Sequence, residues 1–411
     1  MKRPWRERRS LCPEEAGSDS LHGDSQGRTK SRCAAGVHMA GPGRTILLLA
    51  DRLGVHDDGW SVSAFLDRLE RLGLTAQVMC VESAGEAATD FRVVECPGIG
   101  RRWGKSLAVR GLRLGERLLR PDLVHVLQSK LSEIGLAIVE RWRVPYIQTI
   151  DEFIPRGARL RLSGRWCRKL VATSRELADE LTTILGVPRS MVARINPGIE
   201  PPTDVRLRAE QPVVKVIGTA GPLVASSGFA TFLNAARRVV DAGVDAEFVI
   251  AGQGEDEVDL RRRAERLRIA ERVTFAGIPV VGLRFWSVLD IFCQPSLVAS
   301  VGRTLATALA FGVPAIASDI EGLRALVTHN LNGLRVPPGD SGALAGTILD
   351  LLADADRGRA LGAQGRAIIL RDFEPETEVR QLAEVYEEIL GREAPRTEAP
   401  AFATRSETRF S

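Results

Sequence analysis

No apolar run in the 411 residues reaches the roughly 18 that a membrane-crossing helix needs. None of the six cysteines (Cys12, Cys33, Cys80, Cys96, Cys167, Cys293) stands in a C-x-x-C pair or at the spacing of a disulfide framework. A secreted, disulfide-stapled scaffold and a zinc module are therefore not expected; reduced thiols in a cytoplasmic setting are. The first 38 residues carry charge but lack the apolar core of a signal peptide. Excess charge of one sign is also missing, since 56 basic residues face 52 acidic ones, so nucleic acid is not an expected partner. What the chain does have is 44% apolar content over its full length, enough to bury two cores of ordinary size.

Residues 1–40 are polar, rich in Ser, Gly and Arg, and aperiodic, which predicts a disordered extension. Met39, just before the first ordered segment, is a second candidate start of translation. From Thr45 short apolar runs (TILLLA, TAQVMCV, FRVVEC, LVHVL, PYIQTI, KLVATS, VARIN) alternate with helical stretches at 61–73, 105–119, 129–141, 157–167 and 175–186. Continuous apolar strands separated by helices predict a parallel sheet covered on both faces, here over residues 43–195. Residues 196–212 hold four prolines and no period, so they read as a linker. Alternation restarts over 213–374, followed by one more helix at 375–390 and a Pro/Thr/Glu tail at 391–411 that is expected to be disordered. The expected fold class is α/β, with two doubly wound, Rossmann-like parallel-sheet domains.

Residues 290–322 organise the second half. LDIFCQPS reads as a buried strand ending at Pro295, then comes a loop of small residues, then a helix from Thr304 stopped by Gly312, then the strand VPAIAS. A strand feeding a helix through such a loop exposes backbone N–H groups and the positive end of a helix dipole, which suits a phosphate. This stretch resembles the donor site of the retaining GT-B glycosyltransferases of family 4, P-S-x-x-E-x-x-G-x-x-x-x-E-A-x-A-x-G-x-P-V. Pro295, Ser296, Gly302, Ala308, Ala310, Gly312 and Pro314 match it, while Ala299 and Thr307 stand where that family has its two glutamates.

The resemblance, spanning about residues 43–390, implies two domains facing a cleft, with residues 375–390 crossing back onto the first. It also implies site residues. In the loop G-R-L-x-x-x-K-G, whose Arg and Lys neutralise the diphosphate, Gly221, Leu223 and Gly228 match but Pro222 and Ser227 replace the cations. Donor contacts are expected at Gly59, Gly221, Ser227, Ser300, Val301, Gly302, Thr304 and Thr307. Arg303, a cation at a helix N-terminus, is a candidate replacement for the lost charges. In the first domain His125 keeps the first histidine of D-v-v-H-x-H and is placed on the acceptor side. Asp151 replaces the histidine of T-x-H-D, near the reacting sugar. The lone G-x-G at Gly252 and Gly254 reads as a tight turn before a helix.

Two readings stay open. The first is a retaining hexosyltransferase acting without metal or cofactor, with a nucleotide sugar as donor and a glycan or lipid as acceptor. It is placed in the cytoplasm, including the inner membrane face. The alternative is an inactive GT-B module that partners or regulates an active transferase, because Pro222, Ser227, Ala299, Thr307 and Asp151 each replace a residue used on donor or sugar. A dinucleotide-dependent oxidoreductase would need G-x-G-x-x-G after a strand and an acid about 20 residues on, and no stretch supplies both.

Overall fold

The computed structural model describes residues 44–53, 61–96, 121–154, 160–200, 214–277, 283–298 and 302–391. The first sheet contains β1 (Thr45–Leu53), β2 (Thr75–Ser83), β3 (Val93–Glu95), β4 (Leu123–Val126), β5 (Tyr146–Ile150), β6 (Cys167–Ala172) and β7 (Val192–Arg194). Their order is β3-β2-β1-β4-β5-β6-β7, and every pairing is parallel. The second sheet contains β8 (Lys215–Ala220), β9 (Ala246–Ala251), β10 (Val273–Phe275), β11 (Ile291–Gln294), β12 (Ala315–Ser318) and β13 (Leu334–Val336). Its order is β10-β9-β8-β11-β12-β13, again all parallel.

Both sheets are sandwiched, as the unbroken apolar runs predict. On the first, Ile46, Leu48 and Ala50 pack to one side with Phe65 and Tyr386, and Leu47 and Leu49 to the other with Val124 and Tyr146. On the second, Ile217 and Phe248 face Phe229 and Ile348, while Phe292 and Ala315 face Leu305, Trp286 and Ile369. Strand order reverses between β1 and β4 and again between β8 and β11, and the crevice beyond the carboxyl ends at such reversals is where open α/β sheets bind ligands. Of the stretches singled out in the sequence, those with Gly221 and Gly302 follow β8 and β11, and Gly59 comes after β1 in the chain.

Local signals act as expected at several helix starts. Ser61 Oγ accepts from the Ala64 N–H at 3.2 Å, and Ser174 Oγ from the Leu177 N–H at 3.2 Å. Asp340 Oδ1 accepts from both Gly342 and Ala343 at 2.9 Å. The last helix, Pro375–Gly391, packs Val379, Leu382, Ala383 and Tyr386 into the core of the first sheet, so the chain returns to the domain it started from.

The helix expected at 157–167 is not found in its described part: Leu160–Ser163 is irregular and Gly164–Trp166 is a turn. Tertiary partners take the groups a helix would need. The Ser163 N–H donates to Tyr146 Oη at 3.1 Å, and Ser163 Oγ donates to Glu140. The helix expected over 175–186 keeps α geometry only at Arg175–Asp179 and widens to a π turn at Glu180–Ile184. There Thr182 and Thr183 hydroxyls donate back to the Ala178 and Asp179 carbonyls, which loosens the ladder. Residues 105–119 lie outside the described residues.

Candidate functional site

At the carboxyl end of β8 the loop Gly221–Gly228 is laced to the loop after β9. Gly221 N–H donates to Ala251 O at 3.0 Å, Leu223 N–H to Gln253 O at 2.9 Å, and Asp256 N–H to Leu223 O at 3.0 Å. Glycine is required for this fit. A Cβ on Gly252 would lie 1.9 Å from Gly221 O, and one on Gly254 2.3 Å from Leu223 O. The G-x-G is thus a backbone-to-backbone contact inside the domain, in keeping with the reading of a turn.

The loop after β8 is also stitched to the loop after β11. Leu297 N–H donates to Ser226 O at 2.8 Å, and Gly228, with φ +74°, passes so close that a Cβ would sit 1.9 Å from Pro295 O. Ser227 Oγ donates to Pro222 O at 2.7 Å. The side chain at the position of the family's lysine therefore closes onto the residue at the position of its arginine.

Beyond β11 the helix Arg303–Ala310 begins at Gly302, whose φ of +72° only glycine adopts readily. A Cβ there would lie 2.6 and 2.7 Å from the Leu323 and Leu326 side chains. As N-cap, Gly302 brings no side chain to accept from the first turn, so the N–H groups of that turn point out of the helix and not into its own ladder. Thr304 is half-buried. Thr307 is buried and its hydroxyl donates to Arg303 O at 3.1 Å, which directs its proton to the helix. Ser300 and Val301 lie outside the described residues, as do Ala299 and, in the first domain, Gly59.

Arg303 is half-buried with its Nη1 buried, and its charge bears on the carboxylate of Glu378 in the last helix. Burial pushes the Glu378 carboxyl above its ordinary range; the Arg303 charge and the Gly198 N–H, 2.9 Å from its Oε2, pull it back. The cation expected to serve the donor phosphates thus stands at the donor helix start, with the carboxylate of Glu378 within its electrostatic reach.

In the first domain Asp151 follows β5, and its Oδ1 accepts from the Ser129 N–H at 2.8 Å, fixing the carboxylate beside the turn after β4. Asp51 N–H donates to Gln128 Oε1 at 2.8 Å, and the Asp51 carboxylate pairs with Lys130. Burial, then the Asp151 charge, raise the Glu152 carboxyl, against which Lys130 acts.

His125 does not reach an acceptor surface. It is buried on β4, with Nδ1 2.7 Å from Tyr386 Oη and Nε2 2.7 Å from Thr149 Oγ1. Burial pushes its pKa down to about 3, so the ring is neutral. Both nitrogens serve the core, which corrects the acceptor-side placement.

Gly221, Ser227, Gly302, Thr304 and Thr307 therefore gather at the carboxyl edge of the second sheet, and Asp151 at that of the first. Glu378, Glu200 and Arg68, which join the two domains, carried no chemical signal of their own in the sequence. Among the described residues no group of three or more His, Cys, Asp or Glu side chains is gathered as for a metal ion. His56, Asp57 and Asp58, three adjacent residues of metal-ligating type, lie outside them.

Residues 59–202 match the family model Glycosyltransferase Family 4, and residues 214–354 match Glycosyl transferases group 1. The chain is similar to the amylovoran biosynthesis glycosyltransferase AmsK of Erwinia amylovora, 28% identical over 56% of each chain. It is also similar to the D-inositol 3-phosphate glycosyltransferase of Nocardia farcinica, 27% identical over 60% of this chain and 62% of that one. The matched stretches thus span between half and two thirds of these relatives' own lengths. Among solved structures, Anabaena Alr3699/HepE in complex with UDP and glucose superposes with a TM-score of 0.67 at 18% identity, covering 84% of this chain and 100% of that one. The sucrose-phosphate synthase of Thermosynechococcus elongatus does so with a TM-score of 0.66 at 18% identity, covering 85% and 99%. At such identities these two likenesses establish the fold.

Proposed function

The chain belongs to the family 4 (group 1) GT-B glycosyltransferases, and on that premise we propose that it transfers a hexose from a nucleotide sugar to a glycan or lipid acceptor with retention. The observation that carries this reading is the glycine-started helix Arg303–Ala310 at the carboxyl end of β11, one of the two strands at the reversal of the second sheet. Its first-turn N–H groups and dipole hold and stabilise the departing diphosphate, an electrostatic role that needs no general base. Val301 and Ser300, which precede it in the sequence, are proposed as further donor contacts. The charge of Arg303 adds to it, partly offset by Glu378. Asp151, held by Ser129, supplies a carboxylate for the positive charge that develops on the sugar. Solved Anabaena HepE holds UDP-glucose on this fold, which supports a nucleotide sugar as donor class.

The acceptor is proposed as a glycan or lipid, at the inner membrane face if it is lipid-linked; a curated relative is named as a lipopolysaccharide core mannosyltransferase. No helix among the described residues is long and apolar enough to cross a membrane. Incubating the protein with nucleotide sugars and candidate acceptors and following free nucleoside diphosphate, with the product anomer read by NMR, tests the proposal. An inverted anomer would contradict retention.

A second reading, an inactive partner module, is favoured by one observation: Ser227 closes onto Pro222 where the family has two cations. Absence of release with every donor and acceptor pair, in a chain that folds normally, would favour it.

A further inference from the structure

At the carboxyl end of β5 one oxygen of Asp151 is fixed and the other is left over. Its Oδ1 accepts from the Ser129 N–H at 2.8 Å, and its own N–H donates to Ser129 Oγ at 3.4 Å. Ser129 opens the short turn Ser129–Leu131 that leads into the helix Ser132–Trp142, so the carboxylate is oriented by the end of a regular element. Its Oδ2 has no hydrogen-bond partner among the described residues.

The same end of the sheet offers a ligand little positive charge. The described cations just beyond β4 and β6, Lys130 and Arg175, pair with Asp51 and, at 3.8 Å, with Asp179. Carboxylates are nearer. Glu152 follows Asp151 directly, and Glu180 reaches the same loop, its Oε2 accepting from the Ile154 N–H at 3.5 Å. Burial raises both glutamates above their ordinary range, and negative charge nearby adds to it: that of Asp151 on Glu152, and on Glu180 that of Glu321, beyond β12 in the second domain. The stretch beyond β5 therefore faces the second domain with negative charge on both sides, and a further anion there is repelled.

We infer that Asp151 is a specificity-determining residue, oriented by Ser129: it admits a transferred sugar that bears no negative charge and turns away one that carries a carboxylate, as a uronic acid does. The inference rests on the transferase reading above and narrows its donor class. A sugar hydroxyl donates a hydrogen bond to Oδ2. The carboxylate of a uronic acid has no proton to give and meets a like charge instead.

The test measures binding by the full chain, with pairs of donors that share a nucleotide and differ only in the charge of the sugar: UDP-glucose against UDP-glucuronate, and GDP-mannose against GDP-mannuronate. Calorimetric titration gives each affinity, and the nucleoside diphosphate alone serves as reference. In the parent the neutral sugar should bind about tenfold tighter or more, the effect of one like charge beside a partly screened carboxylate. Asp151→Asn keeps an oxygen for the Ser129 N–H and removes the charge, and it should bring the pair to within about threefold. Ser129→Pro keeps the charge and removes the N–H that fixes it. Proline fits there, because Ser129 is the first residue of its turn and Gln128 before it is extended, at φ −134° and ψ 142°. The ratio in Ser129→Pro should fall between those of the parent and Asp151→Asn. Equal affinity for both members of each pair overturns the inference, as does a preference for the acid sugar, which Lys130 would then serve. A parent ratio that Asp151→Asn leaves unchanged overturns it too, and one that Ser129→Pro leaves unchanged overturns the role of Ser129. If a nucleoside diphosphate binds while its two sugars are indistinguishable, this inference fails and the transferase reading stands. If neither the nucleotides nor their sugars bind, both fail together.

Discussion

The hydroxyl of Tyr386, in the last helix, lies 2.7 Å from Nδ1 of His125 on β4 and so ties the returning end of the chain to the centre of the first sheet. Both side chains are buried, and the second ring nitrogen is held by Thr149. Tyr386→Phe keeps the shape and leaves Nδ1 unsatisfied, which should cost about 1–3 kcal/mol. The urea midpoint reads this directly; an unchanged midpoint would show that the contact does not hold the helix.

The same histidine makes stability fall on mild acidification. Its pKa is pushed down to about 3 by burial, whereas in the unfolded chain it titrates near 6.5. The unfolded state therefore binds a proton that the folded state refuses, and stability is lost as pH falls from about 6.5 toward 3. Between pH 7 and 5 the loss from this group is about 2 kcal/mol. In a His125→Asn variant the difference between urea midpoints at the two pH values should shrink accordingly; an identical difference would place the acid sensitivity elsewhere.

Gly228 is constrained twice, by a φ of +74° and by Pro295 O, which lies 1.9 Å from where a Cβ would sit. Gly243 shares the positive φ, at +80°, but has open space around it. Gly243→Ala should cost about 1 kcal/mol, the conformational penalty alone. Gly228→Ala should cost clearly more, about 2 kcal/mol or above, because the stitch between the loops after β8 and β11 must open. Equal melting shifts for the two would contradict the close approach.

Much of the fold was legible because parallel strands buried on both faces read as unbroken apolar runs, and Ile46–Ala50 or Ile316–Ala317 leave little room for another assignment. What was not legible depended on partners distant in sequence. The turn before β6 is settled by Tyr146 and Glu140 holding Ser163, and nothing in LRLSGRW announces them. His125 looks like a ligand in PDLVHVL until Tyr386, 261 residues away, takes its nitrogen. The donor frame was readable from its glycines, since Gly228 and Gly302 are demanded by backbone geometry that any sequence must meet. The electrostatic influence of Arg303 on Glu378 was not, because Glu378 sits in a helix with no motif.

Restoring one of the missing cations should strengthen nucleotide binding. Ser227→Lys frees Pro222 O and places an ammonium where the family keeps its lysine. A charged hydrogen bond of about 1.5–3 kcal/mol then corresponds to an affinity gain of about tenfold or more for a nucleoside diphosphate. Competition against a fluorescent nucleotide measures it. No gain would mean that the diphosphate does not pass this loop.

The most direct test of the central claim, that this chain engages a nucleotide sugar at the start of the helix Arg303–Ala310, is a calorimetric titration of the purified protein with UDP-, GDP- and ADP-sugars. The account predicts saturable binding of one of them, displaced by the matching nucleoside diphosphate. Failure of all three to saturate up to about 10 mM, weaker than about 3 kcal/mol of binding, would contradict it.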